Sequence, residues 1–158
     1  SDGQRFDFPT QPPRKGKAMP VTTPTLTGRV TLIVQAYDQA DGNAKQRRLG
    51  LYRLGYQVFQ ADGTPAPGFA QPRFNLVFDR LPQEPDAVAL VYAPGSQSGY
   101  TGQTIFAYQV TNVMHEGQAR ADTLDTAQLP AGAYTVRLLA EDLFGNQTHR
   151  DVVVELRH

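Results

Sequence analysis

The sequence predicts an all-β fold in which about seven antiparallel strands pack as two layers, a β-sandwich. Apolar and polar residues alternate along several segments, which is the pattern of strands with one buried face. The chain has 14 glycines and 12 prolines among its 158 residues, and both residue types favour turns. No segment carries a sustained apolar stripe with the 3.6-residue helical period, so we expect little helix.

The clearest strand pair lies near the end of the sequence. Alternation runs through residues 134–141 and again through residues 151–156. Between them, Gly145 is expected to adopt a positive φ angle, and Asp142 and Asn146 have short side chains that can bond turn amides. These features predict an antiparallel hairpin.

A tyrosine at the entry of this hairpin has a recognisable spacing. Leu129, Gly132 and Tyr134 follow the pattern of a tyrosine corner, in which the hydroxyl bonds a backbone group a few residues upstream. We therefore predict that the ring of Tyr134 is buried and that its hydroxyl has a hydrogen-bond partner.

The other strands are predicted from shorter alternating runs. They are expected at residues 29–38, 51–60, 73–78, 87–93 and 104–112. The polar stretch that follows, 113–128, is expected to be irregular. Strands separated by turns in this way are typical of immunoglobulin and fibronectin type III sandwiches. The chain has no cysteine and no tryptophan, so it lacks the marks of antibody domains and a fibronectin-like variant fits better.

The first 26 residues differ in composition from the rest. Residues 1–26 contain five prolines and a basic cluster of Arg14, Lys15 and Lys17, which is the composition of an extended linker. Residues 27–158 are long enough for one domain with a sizeable core and too short for two. We predict a linker followed by a single sandwich domain, with a further segment preceding the linker in the native protein.

Charge and hydropathy argue against two classes of partner. The 15 basic and 15 acidic side chains give a formal net charge of zero, so no overall field attracts nucleic acid or an anionic membrane. No apolar run approaches the ~20 residues of a membrane helix. We expect a monomer without membrane insertion, whose partners are other domains of the same polypeptide.

The patterns of several enzyme classes are absent from the sequence. The three histidines, His115, His149 and His158, form no zinc-binding motif. The loop 95–99 contains serines beside glycines but not the G-x-S-x-G nucleophile motif. Neither of the glycine-rich phosphate-binding patterns is present. We therefore predict that this chain is not catalytic.

Oxygen-bearing side chains gather at two predicted strand ends. If these ends adjoin, Asp38, Asp41, Asp142 and Asn146 would supply ligands for a calcium ion. The alternative is that these side chains cap their own turns, since their spacing matches no defined calcium loop. No other cofactor is predicted.

Aromatic residues cluster around the predicted loop at 94–103. Tyr92, Tyr100 and Tyr108, with Phe106 close by, would form a sugar-binding platform, since a tyrosine ring offers an apolar face and a polar tip. Core packing and loop anchoring are the alternative explanation for the same residues.

Several segments taken in order resemble one known family. These segments comprise residues 27–29, 36–38, 49–54, 78–81 and 132–146. They are similar to the β-sandwich domain that accompanies the catalytic domain in some bacterial lysostaphin-like (LytM-type) zinc metallopeptidases, which cut peptidoglycan cross-bridges. The resemblance implies an extracytoplasmic accessory domain. The zinc motif of the peptidase itself is missing, so no catalytic residue is carried over.

Two functions are compatible with these observations. The first is a non-catalytic accessory module of a larger exported bacterial protein, a cell-wall metallopeptidase, that acts in domain packing or positioning. The second is a carbohydrate- or cell-surface-binding module that contacts peptidoglycan or another surface glycan through the region of Tyr92, Tyr100 and Tyr108.

Overall fold

The computed structural model describes residues 23–39, 47–99 and 103–158. Strands account for 45% of these residues and helix for 6%, so the structure is mostly β. The elements in chain order are β1 (Thr25–Leu26), β2 (Arg29–Val30), β3 (Ile33–Gln35), β4 (Arg53–Gln60), β5 (Arg73–Val77), α1 (Ala87–Val91), β6 (Ala107–Gln109), β7 (Val113–His115), β8 (Gln118–Arg120), β9 (Leu124–Asp125), a 3-10 helix (Thr126–Gln128), β10 (Gly132–Glu141) and β11 (Gln147–Leu156).

Seven of the strands form one sheet, in the order β1-β11-β10-β4-β5-β7-β8. The pairs β1–β11 and β5–β7 are parallel, while the other neighbours are antiparallel. The sheet curls into a half-barrel. The remaining four strands form two separate ribbons, β2–β9 and β3–β6.

The predicted immunoglobulin or fibronectin type III antiparallel sandwich is therefore wrong. The large sheet is mixed, and the described residues contain two short ribbons where a second full layer was expected. The predicted strand at 29–38 divides into β2 and β3, which pair with different partners. Alternation indicates which side chains face a core, but it does not identify the neighbouring strand.

The predicted strand at 87–93 is also wrong, because α1 occupies Ala87–Val91. Ala87 and Val91 are buried while Val88 is exposed. The two buried residues are four positions apart, which places them on one face of a helix. A run this short gives too few repeats for its period to be read from sequence.

The predicted hairpin is confirmed. β10 and β11 pair without interruption from Gly132↔Leu156 to Glu141↔Gln147, and β10 also pairs along its length with β4. The turn between the two strands places Gly145 at a φ angle of +85°. β10 is thus the central strand to which both long neighbours are bonded.

The predicted boundary between linker and domain falls inside the described region. Residues 1–22 lie outside the described residues, but Pro24 is fully buried and Thr25 and Leu26 form β1 at the edge of the sheet. The sheet therefore begins slightly upstream of residue 27.

Two apolar clusters form the core of the described residues. The first includes Tyr56, Val136 and Leu156, and the second includes Leu54 and Tyr108. Since β4 and β10 contribute side chains to both clusters, the two long strands connect the two halves of the core.

A glycine in β4 permits a close backbone approach. The register of β4 against β5 shifts between Leu54 and Tyr56, and a Cβ atom at Gly55 would collide with the backbone carbonyl of Arg73. Only glycine fits between the two strands at this point.

We predict that Gly55→Ala lowers the free energy of unfolding by about 2–3 kcal/mol, because the added methyl group forces β4 and β5 apart. Gly50→Ala is the matched control, since its added Cβ meets only the Tyr108 hydroxyl at an ordinary 3.7 Å; we expect a change within about 0.5 kcal/mol. Urea denaturation measures both. Equal stability of the two variants would contradict this packing.

Candidate functional site

A polar groove of about 570 Å³ lies between α1, the β2–β9 ribbon and the segment 109–112, which connects β6 to β7. The side chains that line it are mainly amides, carboxylates and hydroxyls, with one guanidinium group. The lining residues are Arg29, Thr31, Ala89, Leu90, Gln109, Asn112, Ala121, Asp122, Thr123, Asp125 and Gln128.

Asn112 is the most buried polar residue of the groove, with 7% of its surface exposed. Its amide nitrogen donates to the Leu90 carbonyl at 2.6 Å, and its amide oxygen accepts the backbone N–H of Asp122 at 2.9 Å. A single side chain thereby ties α1 to the opposite wall. The Asn75 amide supports the same segment by donating to the Val110 and Thr111 carbonyls.

Gln109 makes a second connection to α1. Its amide nitrogen donates to the carbonyls of Ala89 and Leu90 at 2.9 and 3.2 Å. These carbonyls belong to the last turn of the helix, where they have no intrahelical partner. Within the described residues the amide oxygen of Gln109 has no hydrogen bond, so the fixed amide has an acceptor to offer.

The two carboxylates of the groove are already engaged. Asp122 accepts the backbone N–H of Thr123 at 2.8 Å and pairs with Arg120 at 3.2 Å. Asp125 caps the 3-10 helix by accepting the Ala127 N–H at 3.1 Å. Both carboxylates are held in place, and each retains lone pairs for a ligand.

Three other polar side chains of the groove have no hydrogen bond or ion pair to any described residue. They are the guanidinium of Arg29 and the hydroxyls of Thr31 and Thr123. The groove thus presents donors and acceptors together on a framework fixed by Asn112 and Gln109. A surface of this kind suits a ligand whose own groups both donate and accept, as hydroxyl groups do.

The predicted aromatic platform lies apart from this groove and is part of the core. Tyr108 is fully buried, with ring centroids 5.2 Å from Tyr92 and 5.9 Å from Phe106. Burial raises the pKa of the Tyr108 hydroxyl, which accepts the backbone N–H of Leu51. Tyr100 lies outside the described residues.

Tyr92 borders a surface depression. This depression, of about 480 Å³, is formed mainly by α1 and the turn at 93–96. Burial raises the pKa of the Tyr92 hydroxyl. The ring is half-buried and packs on Tyr108.

The predicted calcium ligands act as turn caps where the structure describes them. Asp142 accepts the backbone N–H groups of Phe144 and Asn146 and the Asn146 amide, and these bonds lower the pKa of its carboxyl. Asp38 accepts the N–H of Gln39, and Asp41 lies outside the described residues. The described part of the chain contains no group of three or more His, Cys, Asp or Glu side chains that could hold a metal ion.

Tyr134 has a buried ring, with 5% of its surface exposed. Its hydroxyl makes no hydrogen bond to any other described residue. Tyr108, in contrast, has a buried hydroxyl that accepts a hydrogen bond from the backbone N–H of Leu51.

Comparison with known proteins finds no match. No family model, no curated protein and no solved structure is similar to the chain. Separately, none of the helices in the described ranges is long and apolar enough to cross a membrane.

The groove residues were not among the predicted site residues. Arg29, Gln109 and Asn112 stand in no motif, and about 80 residues separate the first two in the sequence. The only feature they share is a polar side chain within or next to a short strand. That signal is too frequent to select them before the fold is known.

We predict that Asn112→Ala lowers the free energy of unfolding by about 2–3 kcal/mol, because it leaves the Asp122 N–H without its acceptor and removes the shorter of the two hydrogen bonds to the Leu90 carbonyl. Gln128→Ala removes an exposed amide from the same groove and should change stability by less than about 0.5 kcal/mol. Thermal or urea unfolding distinguishes the two. If Asn112→Ala lowers the free energy of unfolding no more than Gln128→Ala does, the proposed connection of α1 to Asp122 through Asn112 is contradicted.

A second prediction concerns Glu141, which is buried and accepts hydrogen bonds from Arg53 at 2.7 Å and from Gln147. These bonds lower the pKa of its carboxyl below the ordinary value of 4.5. Its stabilising effect is therefore complete above that value and is lost as the pH falls through the lower pKa of the folded state.

Glu141→Gln should accordingly be less stable than the wild type at neutral pH, and the difference should shrink in acid. Glu84→Gln is the control, because the Glu84 side chain is exposed and has no hydrogen bond to a described residue. Urea unfolding at a series of pH values measures the effect. A difference that stays constant from neutral pH into strong acid would refute the assignment.

Proposed function

We propose that this chain is a non-catalytic accessory module of a larger exported bacterial protein, and that it holds this protein against a surface glycan through the polar groove. The observation that carries the glycan-binding part is the groove itself. Its amides are fixed by backbone partners, while the hydroxyls of Thr31 and Thr123 remain available.

The chemistry of the groove favours a hydroxyl-rich ligand. A sugar hydroxyl both donates and accepts a hydrogen bond, and the groove offers amide and carboxylate acceptors beside hydroxyl and guanidinium donors. Because Gln109 and Asn112 are already held by Leu90 and its neighbours, little ordering of these side chains is needed on binding.

The larger protein is proposed on the sequence segments within residues 27–157 that resemble accessory domains of lysostaphin-like peptidases, and not on the fold, which is not the sandwich of those domains. On this proposal the catalytic centre belongs to another part of the polypeptide, and the present module positions it at the cell wall. The location is then extracytoplasmic, and the ligand is peptidoglycan or another surface glycan.

The polar groove is preferred over the aromatic region as the place of binding. A stacking platform needs exposed ring faces, whereas Tyr108 is fully buried and Tyr92 packs against it. The groove needs no rearrangement of the core to admit a ligand.

Purified peptidoglycan sacculi provide the test. We predict that they retain the wild-type chain in sedimentation, and that Thr31→Ala combined with Thr123→Ala weakens retention about tenfold through the loss of two ligand hydrogen bonds. Thr148→Ala is the matched control, because this exposed threonine lies on β11, which contributes nothing to the groove.

Two outcomes would contradict the proposal. The first is that sacculi do not retain the wild-type chain. The second is that the groove variant is retained as well as the wild type while Tyr92→Ala is not, which would return the site to the aromatic region.

A further inference from the structure

Arg29 stands opposite an acidic residue but does not pair with it. In the β2–β9 ribbon Arg29 is in register with Asp125, and directly opposed residues of antiparallel strands lie close enough to interact. The Asp125 carboxylate instead accepts from the Ala127 N–H and from the Gln128 amide. Arg29 has no ion pair or hydrogen bond within the described residues.

The other charges around the groove are accounted for. Asp122 pairs with Arg120 at 3.2 Å, and Asp125 is held as the cap of the 3-10 helix. Arg29 is exposed, and it is the one cation that lines the groove among the described residues. Its planar guanidinium group is therefore available for a ligand.

We propose that Arg29 binds a carboxylate on the glycan, so that the groove selects an acidic ligand over its neutral counterpart. This inference rests on the proposed function and specifies its ligand. A guanidinium group matches a carboxylate through two parallel hydrogen bonds, and the Thr31 hydroxyl, on the same stretch of chain, is placed to bond an adjacent sugar hydroxyl.

The acidic residues of the groove limit the charge of the ligand. Asp122 and Asp125 line the same groove and repel a group with several negative charges. A single carboxylate beside hydroxyl groups satisfies Arg29 without placing further charge near the two aspartates. The ligand is thus a monocarboxylate within a hydroxyl-rich chain, and not a polyphosphate.

The test compares binding to untreated sacculi with binding to esterified sacculi, whose carboxylates have been converted to methyl esters. We expect the wild-type chain to bind the untreated material about tenfold more tightly, and Arg29→Gln to abolish this preference. Arg80→Gln is the control, because Arg80 is exposed, is absent from the groove lining and has no ion pair with a described residue; it should retain the preference. Asp125→Asn, which keeps a capping oxygen, should increase it.

Two soluble competitors identify the source of the carboxylate. Galacturonic acid carries one carboxylate on a hydroxyl-rich sugar ring, and D-alanyl-D-alanine carries one on a peptide. Release of the wild-type chain by galacturonic acid supports the inference, whereas release by the dipeptide alone overturns it. Release by neither overturns it.

The remaining outcomes separate the two proposals. Equal retention on untreated and esterified sacculi overturns the role of Arg29 while the proposed function stands. If neither material retains the wild-type chain, both proposals are contradicted.

Discussion

The candidate site depends on one buried amide. Asn112 bonds the last turn of α1 through the Leu90 carbonyl and the opposite wall through the Asp122 N–H. Without Asn112 the Asp122 N–H would lose its acceptor and the Leu90 carbonyl would keep only the longer bond from Gln109, which is costly in free energy. The width of the groove is therefore set by the length of one side chain.

The large sheet provides the support for this arrangement. β10 is paired on both sides along its length, with β11 and with β4. The chain then leaves the sheet after β5 and returns in parallel at β7, where Leu76 is in register with Met114. Parallel neighbours require a long connection, and this one carries α1, β6 and Asn112 itself. The groove is a consequence of that crossover.

Sequence patterns predicted the parts of the fold that are local. The hairpin between β10 and β11 was recognisable, because its two strands alternate clearly and a turn with Asp142 and Gly145 separates them. The parallel pairs were not, because alternation contains no information about which distant strand lies alongside. The short helix α1 was taken for a strand because its two buried residues span a single turn.

The candidate site was less predictable than the fold. Sequence reasoning offered the tyrosines as a candidate sugar site, with core packing and loop anchoring as the alternative explanation. In the structure Tyr108 is part of an apolar core cluster. The groove is built from common polar residues, among them Arg29, Gln109 and Asn112, which are brought together by strand pairing between distant parts of the sequence. Their meeting depends on the crossover, which the sequence patterns did not show.

The most direct test of this account is an NMR titration of the ¹⁵N-labelled chain with soluble muropeptides. The account predicts that chemical-shift changes concentrate at the backbone amides of residues 29–31, 109–112 and 121–125 and at the side-chain amides of Gln109 and Asn112. Changes confined to residues 92–99 and 103–108, with the groove amides unmoved, would contradict it.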